Sequence, residues 1–464
     1  MEEAPPTSIL VIGSGVFGLS TAWALTKRQL FAKTAITVVD NARGEFPPRD
    51  SASVDSSRII RADYADPHYT ALATLAQQEW RRQGADELGG QGRYTESGFV
   101  LTANLPMDVP AGTKSSMDYT RESWENVVDY AAKEGLPTES IQRLESREAV
   151  KELLTVDGHC GDWGYLNKLS GWADAGKGMK WLYDRVMETN RVRFVDGQVM
   201  KLETVGDKVV GAQLSDGVVV RGDVVLVAAG AWTGELIDLR GRVEATGHAL
   251  AYVDIAEDEL AVLAKQPVVL NLSSGLFIIP PRDRVLKVAR HGFGYLNPEL
   301  VTNALPPSPS SERKPFVTSR PVTERNGGAQ GLPEEADVDL RRGLKDLSPV
   351  KGLETRPWKE TRLCWYSDTA DGDWLVDWHP GWKGLFIATG DSGHGFKFLP
   401  VVGERIVDCM LGSGGELGRK WKWKDVDDDG VGHYVNGGYN GLMTRDGSRG
   451  GHAGMILREE REKK

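Results

Sequence analysis

The sequence is short of the residues that mark several large classes of protein. Only three of its 464 residues are cysteines (Cys160, Cys364 and Cys409), and their spacing matches neither a disulfide framework nor a metal site. No apolar run approaches the roughly 18 residues that a membrane span needs. The net charge of −10 argues against a nucleic-acid partner, which favours a basic surface. We therefore expect a globular protein that acts without metal, membrane or nucleic acid.

Signals for export are also missing from the sequence. Residues 1–6 lack the basic and apolar segment of a secretory signal, and residues 461–464 (REKK) differ from the S-K-L signal for peroxisomes. The length suits two interleaved domains better than one core. We expect a cytoplasmic monomer, with the peroxisome as the alternative compartment.

What the sequence does contain is a glycine turn near its start. An apolar stretch at 8–12 is followed by Gly13, Gly15 and Gly18, which have G-x-G-x-x-G spacing. Between a strand and a helix, these glycines permit a tight turn, close approach of the backbone to a pyrophosphate, and packing of helix on strand. The helix N-terminus adds unpaired N–H groups for the phosphates. The turn predicts a dinucleotide site.

The next predicted strand supports this interpretation. Residues 35–40 end in Asp40, which lies 22 residues after Gly18, near the offset of a carboxylate that bonds a ribose hydroxyl. These features fit NAD as well as FAD. An ordinary βαβ crossover without a ligand is the alternative, and the combination of features disfavours it.

Three later features carry further signals. Residues 223–232 are an apolar run that ends in small residues, which suits a strand buried on both faces and a cofactor lying against its end. A second glycine turn at 391–397 precedes a predicted helix and again permits close backbone approach. Lys287 interrupts an apolar strand. Because a buried cation is costly without a partner, Lys287 is either outward-facing or functional.

In this order, the motifs resemble one family: the flavin amine oxidases of monomeric sarcosine oxidase, pipecolate and saccharopine oxidase, and the fungal fructosyl amino acid oxidases (amadoriases). The matching stretches are VIGSGVFG at 11–18, DSSRIIR at 55–61, GWADA at 171–175, CWY at 364–366 and SGHGFK at 392–397. The resemblance implies FAD and an α/β fold, in which a Rossmann-like FAD-binding domain is interleaved with an α+β substrate domain on a mostly antiparallel sheet.

The resemblance also implies how the chain is divided. The FAD-binding segments are 7–85, 150–235 and 355–411, the substrate-domain segments are 86–149 and 236–354, and residues 412–464 form an irregular tail. The implied cofactor-binding residues are Gly13, Gly15, Val16, Phe17, Gly18, Asp40, Asn41, Ser57, Arg58, Val199, Ala229, Gly230, Trp232, Cys364, Asp391, Gly393, Gly395, Phe396 and Lys397.

Cys364 occupies the position of the cysteine that commonly tethers the flavin in this family, through a thioether to the 8α-methyl group. Such a tether would hold the ring and tune its electronics. A buried structural cysteine is the alternative, and it is the state that we expect for Cys160 and Cys409.

The resemblance implies Lys287 and Arg58 as the catalytic residues. The lysine ammonium stands beside flavin N5 and stabilises the negative charge that develops as oxygen is reduced, which is an electrostatic role. Arg58 favours the reduced, anionic flavin. Arg61 and Lys397 hold the substrate carboxylate, since a guanidinium and an ammonium suit such an anion. The implied aromatic walls of the substrate site are Tyr252, Tyr295 and Trp365.

The implied function is oxidation of the C–N bond of a secondary, N-substituted amino acid. A hydride passes to flavin N5, which leaves an imine, and oxygen yields hydrogen peroxide. Fructosyl-specific members carry an acidic residue shortly after the active-site lysine, whereas residues 288–295 (VARHGFGY) are basic and aromatic. This departure favours substrates of the saccharopine, pipecolate or N-methyl amino acid type. The alternatives are a fructosyl amino acid oxidase and a biosynthetic oxidative cyclase that uses the imine for ring closure.

Three rival functions are open at this point. One is a flavin dehydrogenase, against which Lys287 argues. Another is a NAD-dependent enzyme, which the second glycine turn and Cys364 disfavour. A non-catalytic flavin-binding protein is disfavoured because Arg61, Lys287 and Lys397 are all present.

Overall fold

The structure is a computed structural model, which describes residues 4–105, 113–326, 328, 331–426, 434–435, 438–439 and 441–463. The helices are α1 (Val16–Lys27), α2 (Pro67–Trp80), α3 (Ser116–Lys133), α4 (Arg147–Leu154), α5 (Ala175–Glu188), α6 (Thr233–Leu236), α7 (Glu257–Leu263), α8 (Glu334–Leu347), α9 (Val402–Met410), α10 (Gly415–Lys420) and α11 (Leu457–Glu462). Among these described helices, none is both long and apolar enough to cross a bilayer.

The strands alternate with these helices along the chain. They are β1 (Ser8–Ile12), β2 (Ala35–Asp40), β3 (Arg58–Ile60), β4 (Tyr94–Thr95), β5 (Phe99–Ala103), β6 (Ile141–Leu144), β7 (Trp163–Asn167), β8 (Gly171–Ala173), β9 (Val192–Asp196), β10 (Val199–Val205), β11 (Lys208–Leu214), β12 (Val219–Arg221), β13 (Val224–Val227), β14 (Glu244–Asp254), β15 (Val268–Asn271), β16 (Leu276–Arg282), β17 (Val285–Arg290), β18 (Tyr295–Leu296), β19 (Pro298–Val301), β20 (Phe316–Ser319), β21 (Glu360–Asp368), β22 (Leu375–Trp378), β23 (Leu385–Thr389), β24 (Tyr434–Val435), β25 (Gly438–Tyr439) and β26 (Met455–Ile456).

The smaller of the two main sheets has the order β22-β23-β13-β1-β2-β9 and is parallel except for β22 at its edge. Its central strand β1 is apolar on both faces. Ile9 and Val11 pack in the same core as α1, whereas Leu10 and Ile12 pack against the three-stranded sheet of β10, β11 and β12. Coverage on both faces explains why the strand is a continuous apolar run. The Rossmann-like unit is confirmed.

The larger sheet has the order β26-β18-β14-β17-β16-β15-β5-β7-β6, and β21 also pairs with β14. It is antiparallel except for the pairs β15–β5 and β18–β26. One face packs on α8 through Leu340 and Leu344, and α3 lies over part of the other through Tyr119 and Val127. The predicted fold class, α/β with a mostly antiparallel second sheet, is confirmed.

Two parts of the chain differ from the predicted division. Strands β7 and β21 pair in the larger sheet, although the segments predicted to bind FAD contain both of them. The tail beyond 412 includes α10 and α11, and β26 extends the larger sheet. Its described residues are therefore partly regular, because they complete the sheet edge, while residues 427–433 of this tail lie outside the described ranges.

Candidate active site

The first glycine turn joins β1 to α1 and is shaped by steric exclusion. Gly13 has φ +103°, and a Cβ added there would lie 2.4 Å from the carbonyl oxygen of Ala228. A Cβ on Gly18 would lie 1.9 Å from the Gly13 carbonyl oxygen, whereas the space in front of Gly15 is open to 4 Å. Gly15 caps α1 without a side-chain hydrogen bond, so the first N–H groups of the helix face that space. The turn offers room and donors for a pyrophosphate.

The carboxyl ends of β1, β2 and β13 meet at this turn. The Asp40 carboxylate accepts hydrogen bonds from the Ser14 amide (2.6 Å) and hydroxyl (2.7 Å), and burial raises the pKa of Asp40. Gly230, just after β13, has φ +54° and open space where a Cβ would stand. Predicted residues that lie half-buried around these strand ends are Asn41, Ala229 and Trp232, while Val199 begins β10 on the neighbouring sheet.

A buried carboxylate that the sequence reasoning left without a role organises the second half of the site. Asp55 is 3% exposed, and its side chain accepts hydrogen bonds from Arg58, Lys287 and the hydroxyl of Tyr252. Burial acts to raise the pKa of Asp55, but the Lys287 and Arg58 cations hold it well below its ordinary value. Asp55 is thus an anion shared by two cations. Its only sequence signal is its place in the motif at 55–61.

Lys287 points inward from β17. It pairs with Tyr252 of β14 and with Ile279 of β16, is 3% exposed, and also donates to the Ser57 carbonyl oxygen at 3.1 Å. Burial lowers the pKa of Lys287 to about 8, although the Asp55 carboxylate opposes that shift. Of the two roles that the sequence left open, the outward-facing one is excluded.

Two adjoining cavities open on the same face of the larger sheet. The smaller, of about 270 Å³, contains Lys287 and Cys364, and the larger, of about 530 Å³ and partly open to solvent, contains Arg61 and Lys397. Residues that line both cavities are Arg58, Phe277 and Tyr366. Predicted catalytic, tether and carboxylate-binding residues from four distant stretches of sequence therefore come together here.

Two basic side chains of the larger cavity, Arg61 and Lys397, are buried and have no ion-pair partner within 4 Å among the described residues. Arg61 is 5% exposed, and its Nη1 has no hydrogen-bond partner among the described residues. Lys397 is also 5% exposed, and its Nζ donates to the Tyr64 hydroxyl and to the His394 carbonyl oxygen, each at 2.8 Å. Leaving a buried guanidinium nitrogen unpaired is costly. This end of the cavity suits a carboxylate ligand.

The second glycine turn is held against β21. A Cβ on Gly393, which has φ +65°, would lie 2.1 Å from the ring of Tyr366, so only glycine permits this contact. The Asp391 carboxylate accepts from the Ser367 hydroxyl at 2.8 Å, and burial raises the pKa of Asp391. Phe396, by contrast, lines the larger cavity. Asp391 therefore anchors the turn to the sheet.

None of the three predicted aromatic walls is among the residues that line the two cavities: Tyr252 donates its hydroxyl to Asp55, and Tyr295 and Trp365 lie on the opposite face of the sheet. Alternate residues of a strand face opposite sides of the sheet, so Trp365 lies on the face away from Cys364 and Tyr366. Its Nε1 donates to the Val322 carbonyl oxygen at 2.9 Å. Tyr295 pairs with Gly247 on that same far face and bonds Glu335 of α8. Neither Tyr295 nor Trp365 lines either of the two cavities described above, whereas Tyr366 lines both of them.

Cys364 differs from the other two cysteines in its surroundings. Its sulfur lies 3.5 Å from Nη2 of Arg58 in the smaller cavity. Cys160 and Cys409 pack among apolar side chains, and burial raises their pKa values to about 11 and about 12. Of the three cysteines, all within the described ranges, only Cys364 borders the site.

Arg449, in the tail, is a second residue that the sequence reasoning missed. It is buried, and it donates to Asp368 at 2.5 Å and to the Ser392 carbonyl oxygen at 2.8 Å. Its Nη1 also lies 3.1 Å from Nδ1 of His291, which lines the larger cavity. Arg449 thus ties the tail to the second glycine turn and to the cavity wall.

Comparisons with known proteins agree with this geometry. Residues 8–409 match the family model of FAD-dependent oxidoreductases. Amino acid oxidase imqH of Aspergillus flavus is 32% identical, over 91% of this chain and 98% of that protein. L-saccharopine oxidase of Schizosaccharomyces pombe is 29% identical, over 91% of this chain and 94% of that protein. A modified fructosyl peptide oxidase from Aspergillus nidulans shares the fold, with a TM-score of 0.77 and 23% identity over 98% of this chain and 99% of that one.

The match covers both glycine turns and the strands that carry Lys287 and Cys364. The open, donor-rich turn at Gly15 and the cavity beside Cys364 fit a dinucleotide and its reactive ring. The predicted resemblance is confirmed, and the cofactor of the family is FAD rather than NAD. The chain belongs to the FAD-dependent oxidoreductases.

Proposed function

We propose that the protein oxidises the C–N bond of an N-substituted amino acid. The observation that carries this proposal is the pair of buried basic side chains, Arg61 and Lys397, in a cavity that adjoins the one holding Lys287 and Cys364. If Arg61 and Lys397 bind the carboxylate of the amino acid, its amine and α-carbon lie towards the cavity that holds Lys287 and Cys364. FAD would supply the acceptor for a hydride from the carbon next to nitrogen and the route of the electrons to oxygen.

The residues around the cofactor site have distinct tasks in this proposal. Residues 13–18 and Asp40 would hold the AMP end of FAD, and Arg58 and Lys287 would supply positive charge near its reactive end. Asp55 fixes both cations in place. A charge that is already positioned costs no reorganisation during the reaction, so it stabilises charge developing on oxygen more effectively than solvent does.

The cavity wall favours an apolar substrate side chain. Among the described residues that line the larger cavity, none is acidic, and the apolar ones are Ile59, Leu270, Phe277, Ile279 and Phe396. Arg290 of the basic run ion-pairs with Glu335 and Asp339 on the opposite face of the sheet, so it offers no partner to a second carboxylate. We therefore rank N-methyl amino acids with apolar or aromatic side chains above saccharopine and fructosyl amino acids.

A peroxide assay on matched substrates tests the function. We expect hydrogen peroxide from N-methyl-L-phenylalanine or N-methyl-L-tryptophan, and less from pipecolate, saccharopine and fructosyl lysine. In Arg61→Gln, kcat/KM should fall about 10- to 10²-fold, because a hydrogen bond to a charged group contributes about 1.5–3 kcal/mol. Arg221→Gln, at an exposed strand position, is the matched control. Peroxide from none of these amino acids would refute the proposal.

The flavin tether is a separate part of the proposal. Cys364 is the cysteine that borders the site, and we propose that it carries a thioether to the flavin. Acid-precipitated wild-type protein should stay yellow, whereas Cys364→Ser should release all of its flavin to the supernatant. Cys409→Ser should retain the colour. Loss of colour from the wild-type protein would contradict the tether.

A further inference from the structure

The hydrogen bonds around Lys397 fix which atoms carry protons. Nε2 of His394 lies 2.9 Å from the Gly372 carbonyl oxygen, which only accepts, so Nε2 carries the hydrogen. In a neutral imidazole Nδ1 is then the acceptor, and the Tyr64 hydroxyl donates to it at 3.0 Å. The Tyr64 oxygen is left to accept from Lys397. The chain of bonds therefore runs from lysine to tyrosine to histidine.

This arrangement satisfies a neutral amine. Nζ of Lys397 donates one hydrogen to the Tyr64 oxygen and one to the His394 carbonyl oxygen. A neutral amine has two N–H groups and one lone pair, so both donors are used and the lone pair remains. Lys397 lines the larger cavity, in which the substrate is proposed to lie. A carboxylate cannot bond to a lone pair, so Lys397 must gain a proton before it holds one.

Lys397 is buried, shares its cavity with the Arg61 guanidinium and has no ion-pair partner among the described residues, all of which disfavour its charged form. Burial, and next the Arg61 guanidinium, lower the pKa of Lys397 well below its ordinary value. Asp63 and Asp391 oppose this shift, but Asp63 is bonded to Asn167 and Ser170, and Asp391 is bonded to Ser367. Other titratable groups on this cavity are His291 and His394, whose pKa values burial lowers, Tyr366, whose pKa burial raises, and Arg58.

We propose that Lys397 takes the proton that the substrate amine loses when the amino acid binds. The secondary ammonium (R₂NH₂⁺) becomes the neutral amine (R₂NH), and the lysine amine (–NH₂) becomes an ammonium (–NH₃⁺), so charge and protons balance. The transfer has two consequences. The amine acquires the lone pair that hydride removal from the adjacent carbon requires, and Lys397 acquires the third N–H that bonds the carboxylate.

The inference rests on the proposed function, since it assigns the proton balance of the same site. The amine nitrogen and the carboxylate of an α-amino acid are bonded to one carbon, so the donor and Lys397 lie in one cavity. Tyr64 and His394 act as positioning residues, because they occupy the two N–H groups of the amine and leave its lone pair free.

Proton uptake on binding tests the inference in the holoenzyme. We would titrate it anaerobically at pH 7.5 with 3-phenylpropionate, a carboxylate without an amine, in phosphate and in Tris. The dependence of the binding enthalpy on the buffer gives the number of protons exchanged. The wild-type protein should take up about one proton per site, because the probe brings no ammonium and Lys397 must draw a proton from solvent. Lys397→Met should bind the probe more weakly and take up none.

Lys397→Arg keeps the positive charge and separates the two consequences. It should bind 3-phenylpropionate without proton uptake. With N-methyl-L-phenylalanine, its rate of flavin reduction should fall about tenfold for each pH unit below the pKa of the amine, because only the neutral amine reacts. The wild-type rate should depend much less on pH. Lys383→Met, at a side chain that is 75% exposed, is the matched control and should behave as wild type.

Two results would overturn the inference and leave the proposed function intact: binding of 3-phenylpropionate to wild type without proton uptake, and unchanged uptake by Lys397→Met. The former would mean that Lys397 is already charged, and the latter that another group takes the proton. Failure of the proposed function looks different, since neither 3-phenylpropionate nor any amino acid would then bind, and no peroxide would form.

Discussion

A Lys287→Met variant is expected to react with oxygen 10²–10³-fold more slowly once its flavin is reduced, which is about the loss on removing one preorganised charge from a catalytic site. The substrate should still reduce the flavin at close to the wild-type rate, because Lys287 lines the smaller cavity and the carboxylate anchor lies in the larger one. Anaerobic reduction followed by mixing with oxygen in a stopped-flow instrument measures the two steps separately.

The pH dependence of flavin reoxidation by oxygen provides an independent check. Burial lowers the pKa of Lys287 to about 8, so its charge is present below that pH and is lost above it. Reoxidation by oxygen should therefore slow as the pH rises through about 8 in wild type and lose this dependence in Lys287→Met. Lys265→Met, at an exposed lysine, should match wild type. A reoxidation rate that is unchanged in Lys287→Met would exclude the proposed role.

Replacing Asp55 with asparagine is expected to have the second large effect. The substitution leaves Lys287 and Arg58 buried without their shared anion, and breaking a buried ion pair in this way costs about 3–5 kcal/mol. Denaturant unfolding should show a free energy of unfolding that is lower by this amount. Lys287 should also lose its charge at a lower pH, since the Asp55 carboxylate supports the charged form, so reoxidation at pH 7 should slow.

The control for Asp55→Asn is Asp86→Asn, because the Asp86 side chain is 91% exposed. Exposed ion pairs contribute little, so its unfolding midpoint should not move. If Asp55→Asn has the stability and the reoxidation rate of wild type, Asp55 is not the anion that fixes both cations.

The parts of the site that follow from local rules were predictable from the sequence. Gly13 and Gly18 are required because side chains there would collide with the backbone. The G-x-G-x-x-G spacing in the sequence indicates this constraint. The resemblance likewise located Cys364, which lies in a short motif, and Lys287, which interrupts an apolar strand.

The remaining parts depend on pairings between distant segments. Whether Trp365 or Tyr366 faces the cavity depends on how β21 pairs with β14, which the sequence of β21 alone does not contain. The Asp55–Lys287 pair joins residues separated by 232 positions. Arg449 resembles any charged residue of a polar, glycine-rich tail, and only the fold places its guanidinium beside His291.

The position of Arg449 has a consequence for how the protein matures during synthesis. The ribosome adds Arg449 81 residues after its partner Asp368, and after the segments that line both cavities. The Rossmann-like unit and most of the larger sheet therefore emerge first, and domains generally begin to fold in that order. Until the tail has been synthesised, His291 in the wall of the larger cavity lacks its contact with the Arg449 guanidinium. A nascent chain thus acquires its nucleotide-binding half before it has a finished catalytic pocket.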